Sequence, residues 1–197
     1  MGRYPPPGPR ALRPSLNPDS ETSPAWSPDG RWLAFATDRD PKQAVFIIPV
    51  EDGRPAGPAR RVTPPDLAAN FPTWSADGRR IAFQAVNDGF IDTMVMPVDG
   101  SEPPRLLTEK ADTYMARWVW GLDEVWISGK WGGFVNEIRR LDPRGGTLRP
   151  FDPPLIMDTD DEWPYFFTDR DGKYVVFADY LTTGDIWLLE ADEGVRF

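Results

Sequence analysis

The sequence predicts an all-β fold, a β-propeller with four recognisable four-stranded antiparallel blades, and three observations carry that prediction. The first is a repeat: Pro24-Ala25-Trp26-Ser27-Pro28-Asp29-Gly30-Arg31 returns as Pro72-Thr73-Trp74-Ser75-Ala76-Asp77-Gly78-Arg79. The second is composition, since 23 Pro and 17 Gly among 197 residues interrupt helices and favour tight turns. The third is a strand after each turn that is apolar at successive positions, so both of its faces need cover. Blades stacked radially supply that cover, whereas a two-sheet sandwich would leave alternation.

Four copies of the unit are present. The third is Ala116-Arg117-Trp118-Val119-Trp120-Gly121-Leu122-Asp123, and the fourth runs from Pro164 to Lys173 with a turn that reads as lengthened. Aligned on Trp26, Trp74, Trp118 and Phe166, the copies stand 48, 44 and 48 residues apart. That period falls within the range of four-stranded blades, about 40–50 residues.

Each unit then reads alike. The second strands are Trp32-Leu33-Ala34-Phe35-Ala36, Ile81-Ala82-Phe83, Val125-Trp126-Ile127 and Tyr174-Val175-Val176-Phe177-Ala178. Third strands follow over residues 45–50, 94–98, 137–141 and 185–189. A Gly-containing turn then leads to a short polar outer strand over residues 60–63, 105–108 and 148–151. Arg and Pro there suit a solvent-facing edge, because they block edge-to-edge pairing. In the turns, Pro28 pre-sets φ and Gly30 supplies a positive one. These turn residues read as scaffold: they repeat because the fold repeats.

The boundaries follow. Residues 1–9 form a Pro-rich lead-in, and residues 10–197 the propeller domain, with blades over about 23–63, 71–108, 115–151 and 163–197. The last unit lacks an obvious outer strand, and residues 10–15 are a candidate closing strand for it. Three arrangements stay open: a closed four-bladed ring, a partial ring that self-associates with another chain, and a portion of a larger ring.

Composition excludes several chemistries. With neither His nor Cys, the Ser-His-Asp and Cys-His constellations, disulfides and thiolate metal sites are all removed. No Gly-x-Ser-x-Gly elbow or phosphate-binding Gly loop occurs, so the chain is read as having no enzymatic activity of its own. A net charge of −9 disfavours nucleic acid and anionic membrane as partners. No apolar run of membrane-spanning length and no signal-peptide pattern is visible, so the expected location of the chain as given is cytoplasmic.

Trp-Ser-Pro-Asp-Gly-Arg in the first copy, Trp-Ser-Ala-Asp-Gly-Arg in the second, and Thr37-Asp38-Arg39 after the second strand resemble the TolB-type, WD-like propeller repeat. The resemblance spans roughly Ser23 to Gly194. It implies a propeller, admits a periplasmic location, and says little about function, because such repeats serve several unrelated roles. Propellers of this type usually have six blades, two more than this chain carries.

The loops between second and third strands and between blades share one face, where propeller ligands usually meet. The candidate contact residues on that face are Asp38, Arg39, Asp88, Phe90, Trp131, Phe134 and Tyr180. Asp158, Asp160, Asp161 and Glu162 form an acidic loop that could gather oxygens round Ca²⁺, although the EF-hand spacing is incomplete. No other cofactor is expected. The leading functional expectation is a non-catalytic platform for a protein or peptide, TolB-like in kind. The alternatives are the propeller portion of a prolyl-oligopeptidase-like hydrolase whose catalytic domain is absent, and a carbohydrate-binding or carbohydrate-acting propeller.

Overall fold

Sixteen strands, grouped in four antiparallel sheets that follow one another along the chain, make up the computed structural model, which describes residues 21–131, 136–157, 165–178 and 186–190. The first sheet holds β1 (Glu21–Trp26), β2 (Trp32–Thr37) and β3 (Ala44–Glu51), with β4 (Arg54–Pro55) and β5 (Arg60–Arg61) both on the β3 edge. The second is β6 (Ala69–Trp74), β7 (Arg80–Asn87), β8 (Phe90–Pro97) and β9 (Arg105–Leu106). The third is β10 (Thr113–Val119), β11 (Glu124–Gly129), β12 (Asn136–Leu141) and β13 (Arg149–Met157). The fourth is β14 (Phe166–Thr168), β15 (Tyr174–Ala178) and β16 (Ile186–Glu190).

The repeat's inner turns are built from the sequence in the expected way. Ser27 donates its hydroxyl to Asp29 (2.6 Å) and accepts the Trp32 amide (2.9 Å), and the Ser75–Asp77–Arg80 turn repeats the pattern. The Ser27 hydroxyl and then the Arg31 amide hold the Asp29 carboxyl below its ordinary value. At Asp77 partial burial pushes upward, and the bonds from Ser75 and Arg79 outweigh it. Because these folded-state values are depressed, the stabilisation is present above the unfolded value of 3.8 and is lost as pH falls through the folded ones. The expected result is that Asp29→Asn with Asp77→Asn flattens the loss of stability below about pH 4, read as the urea midpoint against pH.

One expectation about the fourth unit is corrected. Its turn is no longer than the others. The Asp169 amide donates to the Tyr174 carbonyl (3.2 Å) and the Gly172 amide to the Asp169 carbonyl (3.4 Å), as Ser27 does with Trp32 and Gly30 with Ser27. With Thr168 paired to Val175 as Trp26 is to Leu33, Thr168 occupies the repeat's Trp position, and Phe167 matches Ala25.

Gly172 and Gly30 share a positive φ (71° and 70°) but not a neighbourhood. A Cβ at Gly30 would meet open space, whereas one at Gly172 would lie 2.8 Å from the Trp126 ring. Gly30→Ala is expected to cost about 1 kcal/mol, the usual penalty for a left-handed non-glycine residue, and Gly172→Ala at least twice that. Thermal midpoints of the two variants check the ranking; equal losses would contradict it.

The second strands are buried along nearly their whole length in β2, β7 and β11, as radial stacking requires. Three clusters each join successive sheets. Ala34, Val45 and Ile47 meet Trp74, Ile81 and Phe83; Ala82 and Val95 meet Trp118, Val125 and Ile127; Val119, Trp126 and Ile138 meet Phe166 and Val175. A fourth cluster, centred on Leu33, Phe35 and Ile48, lies on the opposite face of the first sheet. Among the described residues no ladder joins the fourth sheet to the first, which is consistent with a partial propeller. The candidate closing strand at residues 10–15 lies outside the described residues.

Candidate functional site

The first strand of each sheet is the innermost, and it places one residue just before the turn in a shared position. Those residues are Ala25, Thr73, Arg117 and Phe167. All four line a cavity of about 380 Å³ to which every sheet contributes, together with Trp26, Trp74, Trp118, Trp120, Asp169 and Arg170. The cavity therefore sits at the turn end of the inner strands. Indole donors tie this end together: Trp74 Nε1 donates to the Ala25 carbonyl (3.0 Å) and Trp120 Nε1 to the Trp74 carbonyl (2.8 Å), each reaching into the preceding sheet. The Trp118 amide donates to Thr73 Oγ1 (3.0 Å), and the Gly121 amide to the Arg170 carbonyl (2.9 Å). Trp26, first in the series, remains 51% exposed, and Phe167 remains 56% exposed.

Arg117 is the unusual group in this mouth. Its guanidinium lies 4.8 Å from the Phe167 ring centroid, a cation–π contact. Its Nε is buried without a hydrogen-bond partner. Burial pulls its pKa down, with no compensating carboxylate. Asp169, the carboxylate on the lining, accepts the Tyr174 amide at 2.8 Å and forms no ion pair with Arg117. The arrangement combines flat apolar walls with an uncompensated cation, which is suited to holding an apolar group that carries negative charge.

The face at the other end of the blades carries the residues singled out by sequence. Arg39 pairs with Glu21 and lies 5.9 Å from the Phe35 ring centroid, so it is engaged within its own sheet. Asp38 follows β2 in the same loop, exposed, and has an interaction of its own. Asp88 is an exposed turn residue with φ of 48°, beside Phe90 at the start of β8, half-buried. Trp131 is half-buried: its indole donates to the Glu137 carbonyl (3.2 Å), Arg139 lies 5.1 Å from its ring centroid, and its ring packs on Gly129. Asp38 and Arg39 lie between β2 and β3, Asp88 and Phe90 at the β7–β8 turn, and Trp131 after β11, so each of the first three sheets contributes one loop. Phe134, Tyr180, Asp158, Asp160, Asp161 and Glu162 lie outside the described residues. Among the described residues no group of three carboxylates is placed to hold a metal ion, and no helix is long and apolar enough to cross a membrane.

Arg117 and Phe167 were not singled out by sequence. The available signal was positional: the residue before the repeat aromatic is Ala, then Thr, then Arg. A large cation in a slot where the first two copies carry small side chains marks a departure from scaffold. Phe167 was hidden by alignment on its neighbour Phe166.

No family model and no curated protein matches the sequence. Solved structures do. TolB from Acinetobacter baumannii is similar at 20% identity and a TM-score of 0.65, over 86% of this chain and 40% of that one. A putative TolB from Agrobacterium tumefaciens follows at 17% identity and 0.63, over 90% of this chain and 79% of that one. A puromycin-hydrolysing peptidase from Mycobacterium tuberculosis gives 20% identity and 0.57, over 87% of this chain and 29% of that one. Identities this low carry the β-propeller fold, and the chain spans well under half of the first and third of these proteins.

Proposed function

We propose that the chain is a non-catalytic binding platform for a protein or peptide, and that its contact is the axial mouth at the turn end of the inner strands. The observation that supports this most is the convergence of all four sheets on one cavity with exposed aromatic walls, Trp26 and Phe167. Exposed aromatics that cluster at a concave site are typical binding anchors, because they bring large contact area with little conformational entropy to lose. The absence of His and Cys from the sequence supports a binding role over the usual nucleophilic chemistries. The likeness to TolB structures is consistent with a protein partner.

The test is a random-peptide display library panned against the full chain. The reading expects binders that are lost in Trp26→Ala and Phe167→Ala and kept in Asp88→Ala, which alters the opposite face. Binders indifferent to the mouth, or no binder to the folded protein, would overturn it.

A second reading has one observation in its favour, the likeness to a peptidase of which this chain covers 29%. There the chain would be the propeller portion of a hydrolase. An open reading frame continuing into a Gly-x-Ser-x-Gly module would favour it over the first.

A further inference from the structure

We infer that the axial mouth recognises a carboxylate borne beside an aromatic or aliphatic side chain of a peptide, with Arg117 as the group that reads the charge. The inference rests on the platform reading and names the chemistry of its ligand. Arg117 is half-buried on β10 with its Nε withdrawn from water, and an arginine so placed is normally paired. Here no carboxylate pairs with it, its Nε has no partner, and no hydrogen bond from its guanidinium to any described residue is formed. Among the described residues its counterweight is the Phe167 ring at 4.8 Å. A guanidinium held against a ring still carries donors able to make the forked contact that suits a carboxylate.

The walls select further. Trp26 and Phe167 are half exposed beside this edge, so the anion's neighbour is met by apolar surface. A polyanion is disfavoured, since two arginines, Arg117 and Arg170, on the lining of a chain of net charge −9 neutralise few phosphates. Arg117 is set apart from the exposed Arg170 on the same lining by its buried, unpartnered Nε. Thr73 is already committed, its hydroxyl accepting the Trp118 amide, and Asp169 accepts the Tyr174 amide, so neither is available to satisfy Arg117 from within.

Two sources share this chemistry, a chain-terminal carboxylate and an acidic side chain, and defined probes separate them. The full chain is titrated, by indole fluorescence, with N-acetyl-Ala-Ala-Phe as free acid and as amide, and with N-acetyl-Ala-Glu-Phe-amide and its Gln counterpart. At least one acid is expected to bind about 10- to 100-fold tighter than its neutral counterpart, the range of a charge-assisted hydrogen bond. Arg117→Met should abolish the difference, and Arg117→Lys should recover part of it. The unliganded Arg117→Met protein should melt no lower than the parent, because a half-buried charge without a carboxylate partner is removed. Equal binding of acid and amide probes, both lost in Trp26→Ala, would overturn the carboxylate assignment while leaving the platform reading standing. A lower melting point for Arg117→Met, or no binding by any probe at millimolar concentration, would overturn it as well.

Discussion

Trp126→Ala is expected to lower stability by about 4 kcal/mol, a larger loss than any other single substitution considered for this molecule. Trp126 is fully buried on β11, the largest such side chain, within the cluster that joins the third sheet to the fourth. Its ring meets Phe151 edge-on at 4.8 Å and 78°, and its indole nitrogen donates to Glu124 Oε2 at 3.2 Å. Gly172 of the fourth sheet's turn lies against the same ring. Truncation would therefore leave a void shared by two sheets, and the strand pairings on either side limit how far it can collapse. Urea unfolding checks the magnitude; a loss under about 1 kcal/mol would mean that the third and fourth sheets do not pack as described.

Asp92→Ala is expected to cost about 3 kcal/mol, through unsatisfied donors instead of lost volume. Asp92 is a wholly buried carboxylate on β8. It accepts from the amides of Lys110 and Ala111 (both 3.1 Å), from the Thr108 hydroxyl (3.2 Å) and from Asn87 Nδ2 (3.2 Å). Thr108, Lys110 and Ala111 belong to the connection from the second sheet to the third, where Lys110 and Asp112 hold φ of 49° and 45°. Removing the acceptor leaves the part-buried Lys110 and Ala111 amides and the buried Thr108 hydroxyl without it and releases that strained connection. Asp92→Asn should lose nearly as much, because its amide group presents donors to donors. Hydrogen exchange at Lys110 and Ala111 is expected to quicken in both variants; unchanged exchange would contradict this role.

The contrast between these two residues shows what the sequence could and could not reveal. Trp126 belongs to a repeated apolar strand, so its burial followed from the pattern. Asp92 has no counterpart in the first sheet, where the same position is the buried Ala44. A period of 48 residues transmits only what every copy needs, and Asp92 answers to one connection alone. The second and third strands of each unit were legible because continuous apolarity and Gly-containing turns fix them together. The register of the fourth inner strand was misread for a physical reason. Phe166 and Phe167 are both aromatic, and only the ladder reveals that Phe166 faces the core while Phe167 faces the mouth.

The candidate site was missed for a related reason. Loop composition draws the eye to charged and aromatic residues such as Asp88 and Trp131, which stand on loops of different sheets. The residues that converge are drawn from four inner strands, one from each, and their closeness comes from the radial arrangement of the sheets. Arg117 reads as an ordinary strand residue until the absence of a partner for it is visible.

The direct test is to follow the indole N–H resonances of the full chain while a display-selected peptide is added. Nine tryptophans report on both ends of the blades. The axial reading predicts that the resonances of Trp26, Trp118 and Trp120 move while that of Trp131, at the opposite end, stays in place. Movement of Trp131 with Trp26 unmoved would place the binding face on the far loops and contradict it.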